Sequence, residues 1–328
     1  GFRLGKVALA TVERFEAKEY VPRVYLTIYA FINYFYQPVQ SNMTCLKEAA
    51  EVGLSLGDPE NTMSIAQTYI GLALQSGQPL VPLVEEMRSY SQQMMQRNPM
   101  SDMWIHACRQ FTANLLGRSS CPHRLVGEEM NEHTLLLIVE RSALMAEIIY
   151  FFSTWLAYLF GEYELASETA EKSRNVGKKD QIFICKFFTL YNHVFYSGLT
   201  ALVLARRQHH GQRRKVWLST IDSSIRQMEE LAELCAWNFA HKLELLQAEY
   251  AYLTGDCAMA ASKYDRAAEL AASHRFVHEE ALALERAGLF YSETGDRVAA
   301  SRYFARACAC YAKWGASSKV AHIQEHYL

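Results

Sequence analysis

Residues 248–270 read AEYAYLTGDCAMAASKYDRAAEL, and residues 288–310 read GLFYSETGDRVAASRYFARACAC. A shift of 40 residues, from Gly255 to Gly295, also carries Ala260 onto Ala300, Tyr264 onto Phe304 and Ala267 onto Ala307. Self-similarity at a fixed period of this size is the signature of a stacked repeat. In the first copy Ala240, Leu243, Leu246, Tyr250 and Leu253 keep the three-and-four spacing of one helix face up to Thr254-Gly255-Asp256. In the second, Ala283, Ala287, Phe290 and Tyr291 do so up to Thr294-Gly295-Asp296. The run through Tyr303, Phe304, Ala307, Tyr311 and Trp314 then meets Gly315, a left-handed stop.

Each position in the repeat has a physical reason. Glycine lets the chain reverse sharply between antiparallel helices, and alanine lets two helices approach to ~8 to 10 Å. A large ring at 264 or 304 fills the adjoining gap. A weaker copy runs through Trp155, Tyr158, Gly161-Glu162-Tyr163, Ala166 and Ala170, and Leu54 with Gly57-Asp58-Pro59 marks a further helix break. One helix pair cannot bury its own apolar face, so copies must stack. The sequence therefore predicts an all-α fold, an α-solenoid of stacked antiparallel helix pairs forming a tetratricopeptide-like superhelix. It is expected to run continuously over 1–328, with N-terminal repeats in 1–122, long-helix repeats in 123–235 and C-terminal repeats in 236–328. A concave superhelical surface is the expected binding face.

Composition narrows the function. The 33 Lys and Arg against 35 Asp and Glu leave a net charge of -2, so no global field recruits nucleic acid or an anionic membrane. The eight cysteines include no Cys-X-X-Cys pair, which reads as a reducing compartment. The chain begins at Gly1 without a signal peptide, and the expectation is a soluble, intracellular, cytoplasmic segment of something longer. Phe187 to Ala205 holds no Asp, Glu, Lys or Arg and approaches the ~20 apolar residues of a membrane span. Thr189, Asn192, His193, Ser197 and Thr200 interrupt it, so it reads as a helix buried inside the stack.

From Trp237 to Ile323 the sequence resembles the helical region of a family of large multidomain signalling ATPases. The resemblance rests on Asn238, His241-Lys242, Ala248-Glu249, Gly255, Tyr264, Ala267, Glu280-Ala281-Leu282, Phe290-Tyr291, Gly295 and Trp314-Gly315-Ala316. Upstream it extends to Leu54, Gly57-Asp58, Gly77-Gln78-Pro79-Leu80 and Asn114-Leu115-Leu116-Gly117, while Ala236-Trp237 departs from the proline expected before the asparagine. In that family, of the hybrid sensor histidine kinase or serine-threonine kinase type, a kinase-like domain and an AAA-type ATPase precede the helical region, and sensor and output domains follow it. The resemblance implies a regulatory module downstream of an ATPase switch, with catalytic residues in other domains.

Chemistry-bearing motifs are thin. Gly1-Phe2-Arg3-Leu4-Gly5-Lys6 has one residue too few between its glycines for a phosphate loop, and Val7 stands where the magnesium-binding hydroxyl belongs. His322 and His326 flank Glu325 at the spacing of an inverted zinc-peptidase motif, but no third ligand is indicated. Cys121-Pro122-His123 and Cys308-Ala309-Cys310 match no common chelating spacing. No catalytic, cofactor or metal residues are therefore expected. The densest charge feature is Arg206, Arg207, His209, His210, Arg213, Arg214 and Lys215, a patch for an anionic partner or a solvated connector between helices. No aromatic residues interleave with it as nucleic-acid stacking would require. The aromatic clusters Tyr29 to Tyr36 and Phe187 to Tyr196 read mainly as core. The functional expectation is a non-catalytic interaction and relay module for protein partners or peptides. A small-effector sensor is the alternative, and a zinc-dependent enzyme at His322 and His326 a remote one.

Overall fold

The computed structural model describes residues 1–94, 99–179, 187–208 and 210–328. Among the described residues there are helices and turns and no strand. The N-terminal part comprises α1 (Phe2–Arg14), α2 (Val21–Tyr25), a π turn (Leu26–Ala30), α3 (Val39–Ser55), α4 (Pro59–Gln75), α5 (Leu80–Met94) and α6 (Pro99–Leu115). The middle holds α7 (Glu132–Arg141), α8 (Ala143–Leu159), α9 (Tyr163–Lys179), α10 (Phe187–Arg207) and α11 (Gln212–Leu234). Then come α12 (Ala236–Thr254), α13 (Cys257–Ser273), α14 (Val277–Thr294), α15 (Arg297–Trp314) and α16 (Ser317–Tyr327). Sequence neighbours pack as pairs, α3 on α4, α8 on α9, α10 on α11, α12 on α13 and α14 on α15, and the pairs stack. The fold is the expected tetratricopeptide-like α-solenoid.

The repeat turns are built alike. Gly255 and Gly295 take φ of 87° and 94°, which a side chain would resist. The next residue caps the following helix: the Asp256 and Asp296 carboxylates accept from the amides of Met259 and Ala299 at 3.0 and 2.9 Å. Ala260, Tyr264, Ala267, Ala300, Phe304 and Ala307 are all buried, as is Trp314 before the left-handed Gly315. α14 and α15 approach closely at Gly288, where a β-carbon would lie 2.7 Å from the Phe304 ring.

α8 and α10 are buried on nearly every side. Trp155 of α8 lies among Phe111 of α6, Tyr196 of α10, His278 of α14 and Trp314 of α15, with ring centroids 4.6 to 6.5 Å apart. The apolar run of α10 packs Phe195, Tyr196, Leu199 and Leu202 into this interior. No helix among the described residues is long and apolar enough to cross a membrane. The Gly1 to Lys6 stretch lies in α1, where Gly5 donates its amide to Gly1 at 2.9 Å, so it forms no phosphate loop.

Contacts nearly two hundred residues apart close the molecule. Asn238 on α12 accepts from the Val39 amide at 3.0 Å and donates to the carbonyls of Tyr34 and Gln37 at 2.7 and 2.9 Å. Ser317 and Ser318 at the start of α16 donate to carbonyls at the end of α6 and just beyond it, those of Leu116, Asn114 and Leu115, at 2.8 Å. The inner face of α12, α14 and α16 is thus covered by the chain's own helices. The charges on that face are buried against α8 and α10: Lys319 donates to the Leu159 carbonyl, Arg206 bonds Glu249 and Lys242 lies over the Phe195 ring.

Candidate functional site

That covered face carries a string of ionisable side chains. On α12 the three-and-four spacing puts Asn238, His241, Lys242 and Glu249 on one side, and α14 offers His278, Glu279, Glu285 and Arg286, all buried. The 40-residue register explains how they meet: Glu285 and Arg286 stand where α12 has Leu245 and Leu246, and Lys319 of α16 stands where α14 has Glu279.

Three centres result. Glu279 receives hydrogen bonds from Lys242 Nζ and His241 Nε2. Glu249 accepts from Arg286 Nε at 2.6 Å and from Arg206 Nη1 at 2.8 Å, while Arg286 Nη1 donates to the Tyr163 hydroxyl at 2.8 Å. Glu285 accepts from Lys319 Nζ and the Tyr311 hydroxyl at 2.7 Å each, and Lys319 also donates to the Leu159 carbonyl. Burial alone would raise the carboxyl pKa values, but the facing cations outweigh it, holding Glu249 at about 2 and Glu279 well below the usual range. The histidines go the other way: burial pushes His241 to about 4 and His278 to about 3, so both are neutral at pH 7. Each carboxylate is met by at least two buried donors, which suits locking helices together.

The described side chains of the basic connector point to different places. Arg206 turns inward to Glu249 and lies 4.2 Å from the Tyr252 ring centroid, so it belongs to the buried network and not to a solvated loop. The buried carboxylate of Glu249, which binds Arg206 as well as Arg286, is the physical reason. Arg207 covers the Tyr163 ring at 4.8 Å. Arg214 Nε reaches back to the Ala205 carbonyl at 3.4 Å, at the end of α10, where a cation is favourable. Arg213, Lys215 and His210 are exposed, and His209 lies outside the described residues.

His322 and His326 stack on one another with ring centroids 4.4 Å apart; His326 Nδ1 contacts the His322 carbonyl, and His322 packs edge-on against Phe160. Cys121 Sγ and His123 Nε2 touch at 3.4 Å. Among the described residues no cluster of three or more His, Cys, Asp or Glu is arranged to hold a metal.

A solved Rap protein shares this architecture. The structure, of a Rap protein complexed with competence and sporulation factor, superposes with a TM-score of 0.57 over 95% of this chain and 82% of that one, at 12% identity. Likeness at that identity is likeness of fold. No protein-family model matches the chain, and no curated protein matches it in sequence.

Sequence reasoning missed the ionic string, although its members Asn238, His241-Lys242 and Glu249 carried the family resemblance. The available signal was charge at helix-face positions that should be apolar, as at Glu285 and Arg286.

Proposed function

We propose that this chain is a non-catalytic binding and relay module of a signalling protein, in which contact with a protein partner or peptide is transmitted through the docking of its N-terminal helices onto α12, α14 and α16. The observation that supports this most is the set of hydrogen bonds that Asn238, Ser317 and Ser318 make to Tyr34, Gln37, Val39 and the end of α6, backed by the ionic string that ties α12, α14 and α16 to one another and to α8, α9 and α10. Buried ion pairs contribute little net stability against apolar packing, but breaking one is costly, so they favour a single docked arrangement over slipped alternatives. The likeness in fold to a protein solved with a bound factor agrees with a binding role. The resemblance to the helical region of multidomain signalling ATPases supplies the context in which such a relay would operate.

Selection of a displayed peptide library against the purified chain tests the reading. The expected result is convergence on related sequences, whose addition changes hydrogen exchange at both Tyr34 to Val39 and α12. A library that fails to converge, together with turnover of generic ester, phosphate or nucleotide substrates, would overturn it.

A further inference from the structure

α9 and α11 both pack against α10 and leave an open cleft between them. Two cavities occupy it, of about 240 and 670 Å3, and Arg174 lines both. The larger falls within the size range of small-ligand sites. The smaller is walled by hydroxyls and amides, those of Ser197, Ser219, Thr220, Ser223, Ser224 and Gln227, with His193 on its floor. The larger is lined by apolar Leu165, Leu204, Val216 and Trp217, by the carboxylates of Glu162, Glu164, Glu168 and Glu171, and by Arg213.

Two features distinguish this cleft from an ordinary gap between helices. His193 is 92% buried, touches Ser197 Oγ through Nε2 at 3.4 Å, and leaves Nδ1 with no partner at all. His193 lines the smaller cavity and so brings to it a side chain whose hydrogen-bonding capacity no protein group fully uses. The wall beside it is also fixed: α10 and α11 meet so closely at Gly198 that a β-carbon there would lie 2.7 Å from Ser224 Cβ. Arg174 donates to the Thr220 hydroxyl at 3.3 Å, a neutral partner that leaves the guanidinium charge unanswered by that bond. Burial and Arg174 push the His193 pKa to about 4, so the imidazole is a neutral hydrogen-bonding group at pH 7.

We propose that this cleft binds a small zwitterion, with a carboxylate seated against Arg174 and the surrounding hydroxyls and a cationic group held by the glutamates. The proposal deepens the binding-module reading and rests on it. One guanidinium among neutral hydroxyls suits a monoanion, since guanidinium–carboxylate hydrogen bonds are strong and directional. The neighbouring glutamates repel a dianion and attract a cation; Glu168 already engages exposed Lys172 at 2.6 Å, an exchangeable surface pair. A free basic amino acid and the C-terminus of a basic peptide share this chemistry.

Calorimetric titration with L-lysine and Gly-Gly-Lys tests it, with cadaverine lacking the carboxylate and hexanoate lacking the amines. Saturable one-to-one binding of L-lysine or Gly-Gly-Lys is expected, with cadaverine and hexanoate at least tenfold weaker. The tighter of the two ligands identifies the source as free amino acid or peptide end. Arg174→Gln should weaken binding at least tenfold while circular dichroism stays native. On the unaltered chain, phenylglyoxal modification of Arg174, read by mass spectrometry, should slow at saturating L-lysine, so a misfolded variant cannot hide the answer. No saturable binding of either ligand, or Arg174 modified equally fast with and without L-lysine, would overturn the proposal. Peptide selection converging elsewhere would then leave the broader binding role standing.

Discussion

Glu249 is fully enclosed, and taking its carboxylate out of water costs several kcal/mol unless cations answer it. Arg286 and Arg206 both do, so the first arginine after the apolar run of α10 is a structural residue. Arg206→Ala removes one of two charge-assisted hydrogen-bond partners and is expected to cost ~1.5 to 3 kcal/mol. Replacing exposed Arg213 and Lys215 by Ser should cost within about ±0.5 kcal/mol each. Urea denaturation of the two variants separates them; equal midpoints would show that Arg206 contributes nothing to folding. Asn238 is satisfied at both ends of its amide by the Tyr34 to Val39 segment. Asn238→Leu strands a donor and two acceptors in the interior, so its loss should exceed the ~1 to 3 kcal/mol of a single unsatisfied group. The histidines give a pH test. With His193 and His241 near 4 and His278 near 3, the unfolded chain takes up protons at about pH 6.5 that the folded chain refuses. Stability is therefore full above about pH 6.5 and falls as pH drops through the window toward 4 and 3. Thermal melts should show a flat Tm from pH 8 to 7 and a decline between 6.5 and 4.5; a Tm rising on acidification would mean that these rings are charged in the folded state.

At the scale of the element, the repeat register and the turns make separate predictions. Ala307 is buried between stacked helices while Ala305 is exposed. Ala307→Trp should overpack that contact by at least the ~1 to 3 kcal/mol typical of such insertions, and Ala305→Trp should be mild. Because stability in an array is partly a sum of neighbour interfaces, damage at 307 should speed hydrogen exchange first in α14 to α16. The reverse ranking of the two variants would mean the register is wrong. Gly57 and Gly77 both hold positive φ, at 69° and 73°, but their surroundings differ. A β-carbon at Gly57 meets open space, whereas at Gly77 it lies 2.5 Å from His278 Nδ1. Gly57→Ala should cost only the ~1 to 2 kcal/mol of a left-handed residue. Gly77→Ala should cost clearly more, because the turn after α4 abuts the start of α14. Chemical denaturation reads both, and equal losses would remove that contact from the account.

Across the whole molecule, what could be read from the chain and what could not divide along one physical line. Periodicity, glycine punctuation and the superposition of Gly255, Ala260, Tyr264 and Ala267 on Gly295, Ala300, Phe304 and Ala307 determined helices, turns and stacking, because those depend on residues within one or two repeats of each other. The lack of alternating apolar runs likewise excluded a sheet. Neither the closure of the stack nor the destination of its charges is local. Asn238 bonds a backbone segment some two hundred residues away, Lys319 reaches the end of α8, and Arg206 leaves an apparently solvated connector for Glu249. A charge in a sequence carries no label saying whether its partner is water or another helix; only the tertiary fold, by removing water from one face of α12, α14 and α16, decides that these charges must find each other.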